Sequence, residues 1–369
     1  MAKTSLWIGI DAGADDLSLC GTDDNGNVVF QHSCATKAAM VHNLLKRDKR
    51  RIQLIAIESG SSGTTLTRSL RKLGYPVAVF EARQASKFLA IRRNKTDKND
   101  ARGLADLARL GRATVSEVRV KSLECERMRS TLMMRQKLVQ LRVTMEGALR
   151  SLVRLNGGRL KSSSTLAAFQ RNVEAEIARM RRVDQIDLRE STAPLVALSV
   201  ATRGYVETLD KGLREEADDN SVCRRFMEIP GVGPLTALSL FSSIEDPHRF
   251  RRSADVGAFF GLVPTVRESG QLTTKRRISK AGDKLTRTLL TTAAQHHVQW
   301  ANTAISAWAQ GLSKRLGKRG VQVAVARKLA VTMVALWKAD ANYEPFPPVA
   351  KALSPEVDLA HVAPSGAAG

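Results

Sequence analysis

The sequence predicts an α/β domain followed by long helices and a mostly α-helical C-terminal domain. Two apolar runs, Leu6–Ile10 and Leu54–Ile57, have the length and composition of buried strands. Turn residues and helical patterns alternate with such runs as far as residue 118, whereas helical periodicity dominates from about residue 120 onward. The order of these patterns predicts a mixed sheet covered by helices, and then helix-on-helix packing.

The first three strands are predicted from apolar runs and one tight turn. Leu6–Ile10 forms the first strand. The segment Asp23–Asn27 contains Asp, Asn and Gly, which favour a hairpin turn between strands at Leu17–Thr22 and Val28–His32. The sheet is therefore expected to begin with antiparallel neighbours.

Helices and strands alternate after the hairpin. A helix over Lys37–Arg47 leads into the strand that ends at Glu58, and a helix over Thr64–Leu73 precedes a strand at Val77–Phe80. Three early strands followed by this alternation match the RNase H-like (RuvC-like) fold. That fold would put Asp11 on the first strand and Glu58 on the fourth.

Two long helices are predicted between residues 119 and 220. Apolar residues in the first follow the 3-4 spacing of a coiled-coil seam, and those in the second recur at helical spacing. The seam residues are Leu138, Leu141, Met145, Ala148, Leu152 and Leu155. The pattern favours an antiparallel coiled-coil arm, although an ordinary helical hairpin packed on a neighbouring domain fits equally well.

The C-terminal domain is predicted over residues 221–343. In its segment Ile229–Ala237, Gly231 and Gly233 would let a short turn join two helices and expose backbone N–H groups to a phosphate. This turn resembles the helix-hairpin-helix motif of non-specific DNA binding. Prolines followed by a Gly- and Ala-rich end predict a disordered tail over residues 344–369.

Composition limits the classes of function. A formal net charge of +22 over 369 residues attracts polyanions, and nucleic acid is the commonest such partner. We find no hydrophobic run of about 18 residues, no lipidation motif and no signal peptide, so no membrane partner is expected. The four cysteines are scattered and predict reduced core thiols rather than zinc or a redox pair. A cytoplasmic location follows.

Four carboxylates are the candidate catalytic and metal-binding residues. Asp11 and Glu58 each end an apolar run, and Asp97 and Asp100 open a predicted helix, where a spacing of three puts both on one face about 5–6 Å apart. Clustered carboxylates repel one another unless they bind a cation such as Mg²⁺. Individually, each acid could instead be a cap or a loop residue. The arrangement points to phosphodiester chemistry.

One alternative for the first strand is the phosphate loop of actin-like ATPases and sugar kinases, which the run Ile8–Gly13 also resembles. Those enzymes need a second phosphate hairpin and an adenosine loop, and neither is found in the sequence. The large positive charge also does not suit a sugar kinase.

Basic residues concentrate between 265 and 330, a segment that supplies half of the net charge. Such a run is usually a solvated face, but its density after a Gly-rich turn favours contacts to the nucleic-acid backbone. The candidate nucleic-acid-binding residues are Gly231, Gly233, Arg267, Lys275, Arg276, Arg277 and Lys280. Trp300 and Trp308 lie eight apart in a helical stretch and are interpreted as core residues. Ser269, in a predicted turn, needs an activating base or metal before it could act as a nucleophile.

Several motifs together resemble a transposase of the IS-one-ten (IS110) family of bacterial insertion sequences. The first part of the chain is similar to the family's Asp-Glu-Asp-Asp domain through Ile8–Asp11, Ile57–Gly60 and Lys95–Arg102. The last part is similar to its C-terminal transposase domain. The matching stretches there are Ile229–Ala237, Phe259–Pro264, Ser269-Gly270 and Arg277–Gly282.

The resemblance implies an RNA-guided transposase or recombinase. Asp11, Glu58, Asp97 and Asp100 would hold Mg²⁺, and Ser269 would be the nucleophile that forms a 5′-phosphoserine link to donor or target DNA. No ATP would be needed, because the link keeps the energy of the phosphodiester. Ser279 is the second candidate for the nucleophile.

The resemblance also implies partners. A structured bridge RNA would pair with donor and target DNA, and the protein would form dimers or tetramers through its arm, with a composite site shared between subunits. It would act in the bacterial cytoplasm, associated with the nucleoid. The alternatives are a RuvC-like hydrolytic nuclease or resolvase without a covalent intermediate, and an inactive nucleic-acid-binding protein.

Overall fold

The computed structural model describes residues 5–90, 94, 96–110, 115–269 and 272–347, and within these ranges it leaves out the side chains of 61, 266–269 and 272–276. The chain divides into two compact units, residues 1–122 and residues 123–369. The predicted division into four segments, at 118/119, 220/221 and 343/344, stays a prediction.

The first unit contains a five-stranded mixed sheet with the strand order β3-β2-β1-β4-β5. β1 pairs antiparallel with β2 and parallel with β4, and β4 pairs parallel with β5. The predicted mixed sheet with helical covers is confirmed. The strands are β1 Ser5–Ala12, β2 Asp16–Thr22, β3 Val28–Ala35, β4 Arg51–Glu58 and β5 Val77–Phe80, and the helices are α1 Ala38–Leu45, α2 Ser61–Lys72, α3 Ala82–Leu89 and α4 Asp97–Leu110.

The turn between β2 and β3 forms where Asp and Gly predict it. The Asp23 carboxylate accepts hydrogen bonds from the backbone amides of Asn25 and Asn27 and from the Asn27 side chain. These bonds, led by the one from the Asn27 side chain, lower the pKa of Asp23. Gly26 takes the positive φ of 85° that the turn requires. The turn fixes the register of β2 on β3.

The two faces of the sheet have separate apolar cores because side chains alternate along each strand. Ile8, Ile10, Ile55 and Ile57 are buried in the core on one face. On the other face, Leu54 and Ala56 pack against residues of α3 and α4, with Trp7 at the edge of that core. The buried runs that predicted the strands are therefore apolar on both sides of the sheet.

The second unit is mostly helical. Its short turns are a π-helical turn at Met180–Asp184 and 3-10 turns at Pro247–Arg249 and Ser253–Asp255. A two-stranded antiparallel hairpin joins β6 to β7. The elements are α5 Leu123–Leu155, α6 Leu166–Arg179, α7 Arg189–Asp219, α8 Ser221–Met227, α9 Pro234–Ile244, α10 Val256–Phe259, β6 Pro264–Ser269, β7 Leu272–Ile278, α11 Lys284–Gln299, α12 Ala304–Ser313 and α13 Lys318–Ala339.

The long helices α5 and α7 occur where they are predicted, but the predicted seam is wrong. Leu141 is 56% exposed and Leu155 is 83% exposed. The residues of α5 on its buried side follow the same 3-4 spacing in another phase, namely Cys125, Met128, Leu132, Arg135, Val139, Arg142, Glu146, Leu149 and Val153. The apolar pattern predicts the wrong face of α5, because the face that is buried contains the charged residues Arg135, Arg142 and Glu146.

Ion pairs replace apolar contacts in the middle of this seam. Arg135 makes two hydrogen bonds to Asp210 of α7, at 2.7 and 3.1 Å. Arg203 of α7 donates to the buried Glu146 carboxylate at 2.8 Å and lies over the ring of Phe169. Arg203 also donates to the carbonyl of Ser163, at 3.0 Å, so the pair ties the connector to both helices.

The ends of α5 and α7 that are nearest to α8 belong to the C-terminal core. Met128 and Leu132 pack with Leu213 and Ala217 in one cluster with buried residues of α8, α9, α11, α12 and α13. Three of the four cysteines, Cys20, Cys125 and Cys223, are buried, and all four are free thiols, as predicted.

Helix α13 corrects one expectation from the sequence. It is long and apolar enough, by length and composition alone, to cross a membrane, and it is the one such helix in the described part of the chain. Eight of its residues are buried, among them Val325, Leu329 and Met333, and they pack in the C-terminal core. Interruption by Arg327 and Lys328 hid this apolar stretch in the sequence.

The buried Glu146–Arg203 pair gives a stability prediction. Glu146→Ala should lower the free energy of unfolding by about 3–5 kcal/mol, because it leaves the Arg203 guanidinium buried without its carboxylate. Urea unfolding followed by circular dichroism measures the change. The control is Glu215→Ala, which removes an exposed pair with Lys211 and should cost less than about 0.5 kcal/mol. Equal effects of the two variants would contradict the prediction.

Candidate active site

Asp11 and Glu58 lie side by side at the ends of two paired parallel strands. The printed register of β1 and β4 ends with Ile10 opposite Ile57, so each carboxylate is the next residue on its strand. Alternation puts Asp11 on the face of Gly9, and Glu58 on the face of Leu54 and Ala56. Both are partly exposed. The two strands therefore present both carboxylates on the sheet face that α4 covers.

Helix α4 reaches this face because Gly9 has no side chain. A β-carbon at Gly9 would lie 2.0 Å from the Ala101 carbonyl oxygen and 2.2 Å from the Ala105 amide nitrogen. The backbones of β1 and α4 are thus in direct contact two residues before Asp11. Ala101 directly follows Asp100, so the first turn of α4 lies near the carboxylate end of β1.

Asp97 and Asp100 occupy the first turn of α4, as predicted. The hydroxyl of Thr96, rather than Asp97, accepts the hydrogen bond from the amide of Asn99, at 3.2 Å. The capping function that would explain Asp97 as a structural residue therefore belongs to Thr96. Asp97 is exposed and Asp100 is partly exposed.

The donor type of this site fits a hard divalent cation, because carboxylate oxygens are the preferred ligands of Mg²⁺. The observed spacing is less favourable. Within the described residues, no three Asp, Glu, His or Cys side chains lie close enough together to hold one ion. Asp11 and Glu58 thus share a face beside the first turn of α4, and the described residues do not form a closed coordination site there.

The turn with Gly231 and Gly233 joins two helices, as predicted. It connects α8 to α9, and Gly231 has a φ of 81°. A β-carbon at Gly231 would lie 2.7 Å from the β-carbon of His296, so the turn packs closely on α11. Around Gly233 there is open space. A phosphate could therefore approach the turn from the Gly233 side.

The β6–β7 hairpin contains the serine candidate and most of the basic candidates. The backbone of Ser269 ends β6 opposite Leu272. The side chains of Ser269, Arg267, Lys275 and Arg276 lie outside the described residues. Arg277 and Lys280, at the other end of the hairpin, are exposed, and Lys280 has a φ of 54°.

Ser279 lies at the base of the hairpin rather than at its end. Its backbone amide donates to the Val263 carbonyl, and its hydroxyl accepts from the Ala281 amide at 3.4 Å. These bonds give Ser279 a local role in closing the base of the hairpin. The two candidate serines thus lie at opposite ends of the hairpin.

A close backbone contact and one arginine hold the base of the hairpin. A β-carbon at Gly282 would lie 2.0 Å from the Phe259 carbonyl oxygen, and Gly282 has a φ of 69°. Arg287 donates to the carbonyls of Phe260 and Ala281, at 3.1 and 2.8 Å. Both segments that lead into the hairpin are therefore fixed to α11.

A polar network that sequence reasoning missed lies behind this base. Arg129 of α5 donates to the Asp283 carboxylate at 2.6 Å and to the Ser243 hydroxyl. Asp283 also caps α11 by accepting from the Thr286 amide at 2.7 Å. Burial acts to raise the pKa of Asp283, but the Thr286 amide and the Arg129 charge outweigh it and hold that pKa below its ordinary value. Only a spatial contact reveals this link, since Arg129 and Asp283 are 154 residues apart.

Comparisons with known proteins agree with this arrangement of a carboxylate face in one unit and a basic hairpin in the other. A transposase model of the DEDD type matches residues 8–155, and the model described as the transposase IS116/IS110/IS902 family matches residues 223–309. Together they cover more than half of the chain. These matches show a transposase, an enzyme that cleaves and joins DNA. The chain belongs to the IS116/IS110/IS902 family, and the DEDD domain supports a RuvC-like RNase H fold for the first unit.

Relatives match the chain along most of its length. The transposase for insertion sequence element IS1111A of Coxiella burnetii is 29% identical and covers 91% of this chain and 90% of its own. The transposase for IS1328 of Yersinia enterocolitica is 25% identical, with 88% and 94% covered. The RuvC structure of Thermus thermophilus matches 31% of this chain and 99% of its own, with 15% identity and a TM-score of 0.24.

The contact at Gly9 predicts that a single methyl group disturbs the carboxylate face. Gly9→Ala should lower the free energy of unfolding by about 1–3 kcal/mol, because the new β-carbon overlaps the backbone of α4. Displacement of the first turn of α4 should also slow DNA strand cleavage by about 100-fold. Thermal unfolding and a cleavage assay measure the two effects.

Gly60→Ala is the matched control for Gly9→Ala. It lies in the same unit, and a β-carbon there would meet no atom within 4 Å. Wild-type cleavage by the Gly9→Ala protein would show that the contact between β1 and α4 does not position the carboxylates.

Proposed function

We propose that this transposase is RNA-guided and that it cleaves and rejoins DNA through a covalent link to Ser269, assisted by Mg²⁺. The observation that carries the proposal is the shared face of Asp11 and Glu58 beside the first turn of α4. A hydrolytic or strand-transfer site built from carboxylates needs them on one surface, and this surface has them. The serine step is supported by the match of residues 223–309 to the family's transposase model.

In this proposal Asp11, Glu58, Asp97 and Asp100 together hold Mg²⁺. The ion, when bound, would neutralise charge on the scissile phosphate and favour attack on it. Binding would require the first turn of α4 to close on Asp11 and Glu58, because three of these carboxylates do not meet at one point in the described structure.

The proposed covalent step replaces one phosphate ester bond of the DNA with one ester bond to serine. The Ser269 hydroxyl oxygen attacks the scissile phosphorus and loses its proton, a 5′-phosphoserine ester forms, and the 3′ oxygen leaves as a hydroxyl. In the joining step a 3′ hydroxyl of another strand attacks the same phosphorus and releases serine. No nucleotide cofactor is consumed, because each bond broken is replaced by one of similar energy.

The proposed partners are donor DNA, target DNA and a structured bridge RNA. Arg277 and Lys280 are exposed at the base of the hairpin, and open space surrounds Gly233. The proposal adds Arg267, Lys275, Arg276 and the backbone at Gly231 to this surface. Contacts of this kind to phosphates position a nucleic acid without reading its sequence, so sequence choice would come from base pairing with the RNA.

We further propose that the protein acts as a dimer or tetramer. The apolar residues that do not form the inner seam of α5 form a second stripe with 4-3 spacing. Met134 and Leu141 are each 56% exposed, and Leu155 is 83% exposed. The full stripe is Met134, Leu138, Leu141, Met145, Ala148, Leu152 and Leu155. A sustained heptad stripe of this kind supports helix association with a second copy.

The second candidate function is a RuvC-like hydrolytic nuclease or resolvase. The same carboxylate face would then activate water, and no serine would be needed. The two candidates differ in one product, since only the serine mechanism leaves protein covalently attached to DNA.

Ser269→Ala should remove the covalent protein–DNA adduct. The measurement is incubation of the full-length protein with Mg²⁺, its flanking RNA and a labelled DNA junction, followed by denaturing electrophoresis. Ser279→Ala is the control, because its hydroxyl has a local role at the base of the hairpin, and its adduct should persist. Cleaved DNA without an adduct in the wild type would favour the hydrolytic nuclease instead.

Asp11→Ala should lose strand cleavage while RNA binding remains, because the carboxylate serves the metal rather than the fold. Cleavage and RNA affinity are measured on the same preparation. Asp15→Ala is the matched control, since Asp15 is an exposed residue of the turn after β1. Full recombination by the Asp11→Ala protein would disprove the metal-site proposal.

A further inference from the structure

We propose that Trp300 and His296 form a stacking platform for an unpaired nucleobase of single-stranded DNA or RNA. The inference rests on the proposed function, because it requires that the protein handle nucleic acid. It adds a contact to the face of a base, whereas the basic hairpin and the Gly231–Gly233 turn supply contacts to the phosphate backbone.

Trp300 is exposed, in contrast to the expectation that it is a core residue. It directly follows α11, and its side chain is 70% exposed. The sequence does not show that α11 ends at Gln299, because apolar residues continue at helical spacing through Trp300 into α12. The other tryptophans have packing partners: Trp337 contacts the rings of Phe226 and Phe241, Trp7 joins a sheet core, and Trp308 lies beneath the Lys328 ammonium group.

The backbone holds Trp300 in a defined position. The amides of Trp300 and Ala301 both donate to the carbonyl of His296, at 2.8 and 3.1 Å, and close the end of the helix. The rings of His296 and Trp300 have centroids 5.8 Å apart at an interplanar angle of 49°. A base stacked on the indole would therefore meet the imidazole at one edge.

His296 is fixed from the other side by the turn between α8 and α9. The 2.7 Å distance from a β-carbon at Gly231 to that of His296 leaves no room for a side chain between them. The neighbouring His297 has a different role, since it is buried and its Nδ1 lies 3.2 Å from the Thr303 hydroxyl. Burial lowers the pKa of His297.

The part of the sequence that contains Trp300 is strongly basic. The sequence contains no Asp or Glu from Lys284 to Ala339 and has nine lysines and arginines in that span. The exposed side chains of α11 itself are mostly threonines and glutamines, among them Thr288, Thr292, Gln295 and Gln299. An exposed indole in a chain segment of this composition suits a nucleobase, because the basic residues of the segment attract the phosphates of the same strand.

Stacking on an aromatic ring tolerates any base, because every base has a π-face. The platform would therefore hold a base that is not paired in a duplex, such as one beside a cleaved or melted junction. Duplex DNA has no free base face to offer, except at its ends. Selectivity for single strands over duplex is the property that separates this platform from contacts to phosphates.

The test uses full-length protein with labelled oligothymidine, labelled oligouridine and a relaxed circular duplex, which has no ends, at one salt concentration. Trp300→Ala should weaken binding of a single strand by about 5- to 150-fold, the range that corresponds to loss of one base stack. Duplex affinity should stay within about 2-fold. Trp300→Phe should retain most of the single-strand affinity, and a loss confined to one oligonucleotide would assign the platform to DNA or to RNA.

Val183→Ala is the control variant, because it removes another strongly exposed apolar side chain that belongs to none of the proposed binding surfaces. Quenching of indole fluorescence on binding, present in the wild type and reduced in Trp300→Phe, is the second measurement. Both use an exposed position, so the variants should fold as the wild type does.

Three results would overturn the platform. Unchanged single-strand affinity in Trp300→Ala would exclude stacking, and an equal loss on duplex would reassign Trp300 to backbone contacts. A change of oligomeric state without a change of affinity would show that a second copy of the chain covers the indole. Failure of the wild type to bind any of the probes would instead refute the proposed function itself.

Discussion

The contact between the backbone of β1 and that of α4 is the constraint on which the carboxylate face depends. Gly9 permits it, because any β-carbon there would overlap the Ala101 carbonyl oxygen. The helix is thereby brought close enough for Ala101 and Ala105 to be fully buried against the sheet. Small residues on both elements bring the first turn of α4 toward Asp11, and the Gln31 side chain of β3 donates a hydrogen bond to the Lys98 carbonyl in the same turn.

The second unit uses the same kind of constraint at the β6–β7 hairpin. Gly261 and Gly282 have φ values of 64° and 69°, and a β-carbon at either would overlap neighbouring backbone. The arginine beside them, Arg287, then satisfies two carbonyls that the turn leaves without helix or strand partners. Burial lowers the pKa of Arg287, although its ordinary value lies so far above neutral pH that the group stays charged. Glycines that no other residue could replace without overlap therefore lie beside the carboxylate face and at the base of the β6–β7 hairpin.

The local sequence pattern is sufficient to predict the strands and the sheet face on which Asp11 and Glu58 lie. Leu6–Ile10 and Leu54–Ile57 are apolar throughout because both faces of β1 and β4 are covered, and the two-residue period then fixes where Asp11 and Glu58 lie. The closeness of α4 could not be predicted, because it depends on which residues meet at Gly9. The exposure of Trp300 depends on where α11 ends, and periodicity does not show this.

Helix α5 shows why an apolar pattern alone does not predict which face of a helix packs against its neighbour. Helix α5 has two stripes with the same 3-4 spacing, and the more apolar one is the stripe that does not contact α7. Charges decide the choice, because Arg135 meets Asp210 and Glu146 meets Arg203 only when α7 lies on the other stripe in one register. An apolar inner seam would be at least as stable, but it would let α7 slide or exchange with a second α5. We interpret the buried pairs as the feature that reserves the inner face of α5 for α7 in a single register.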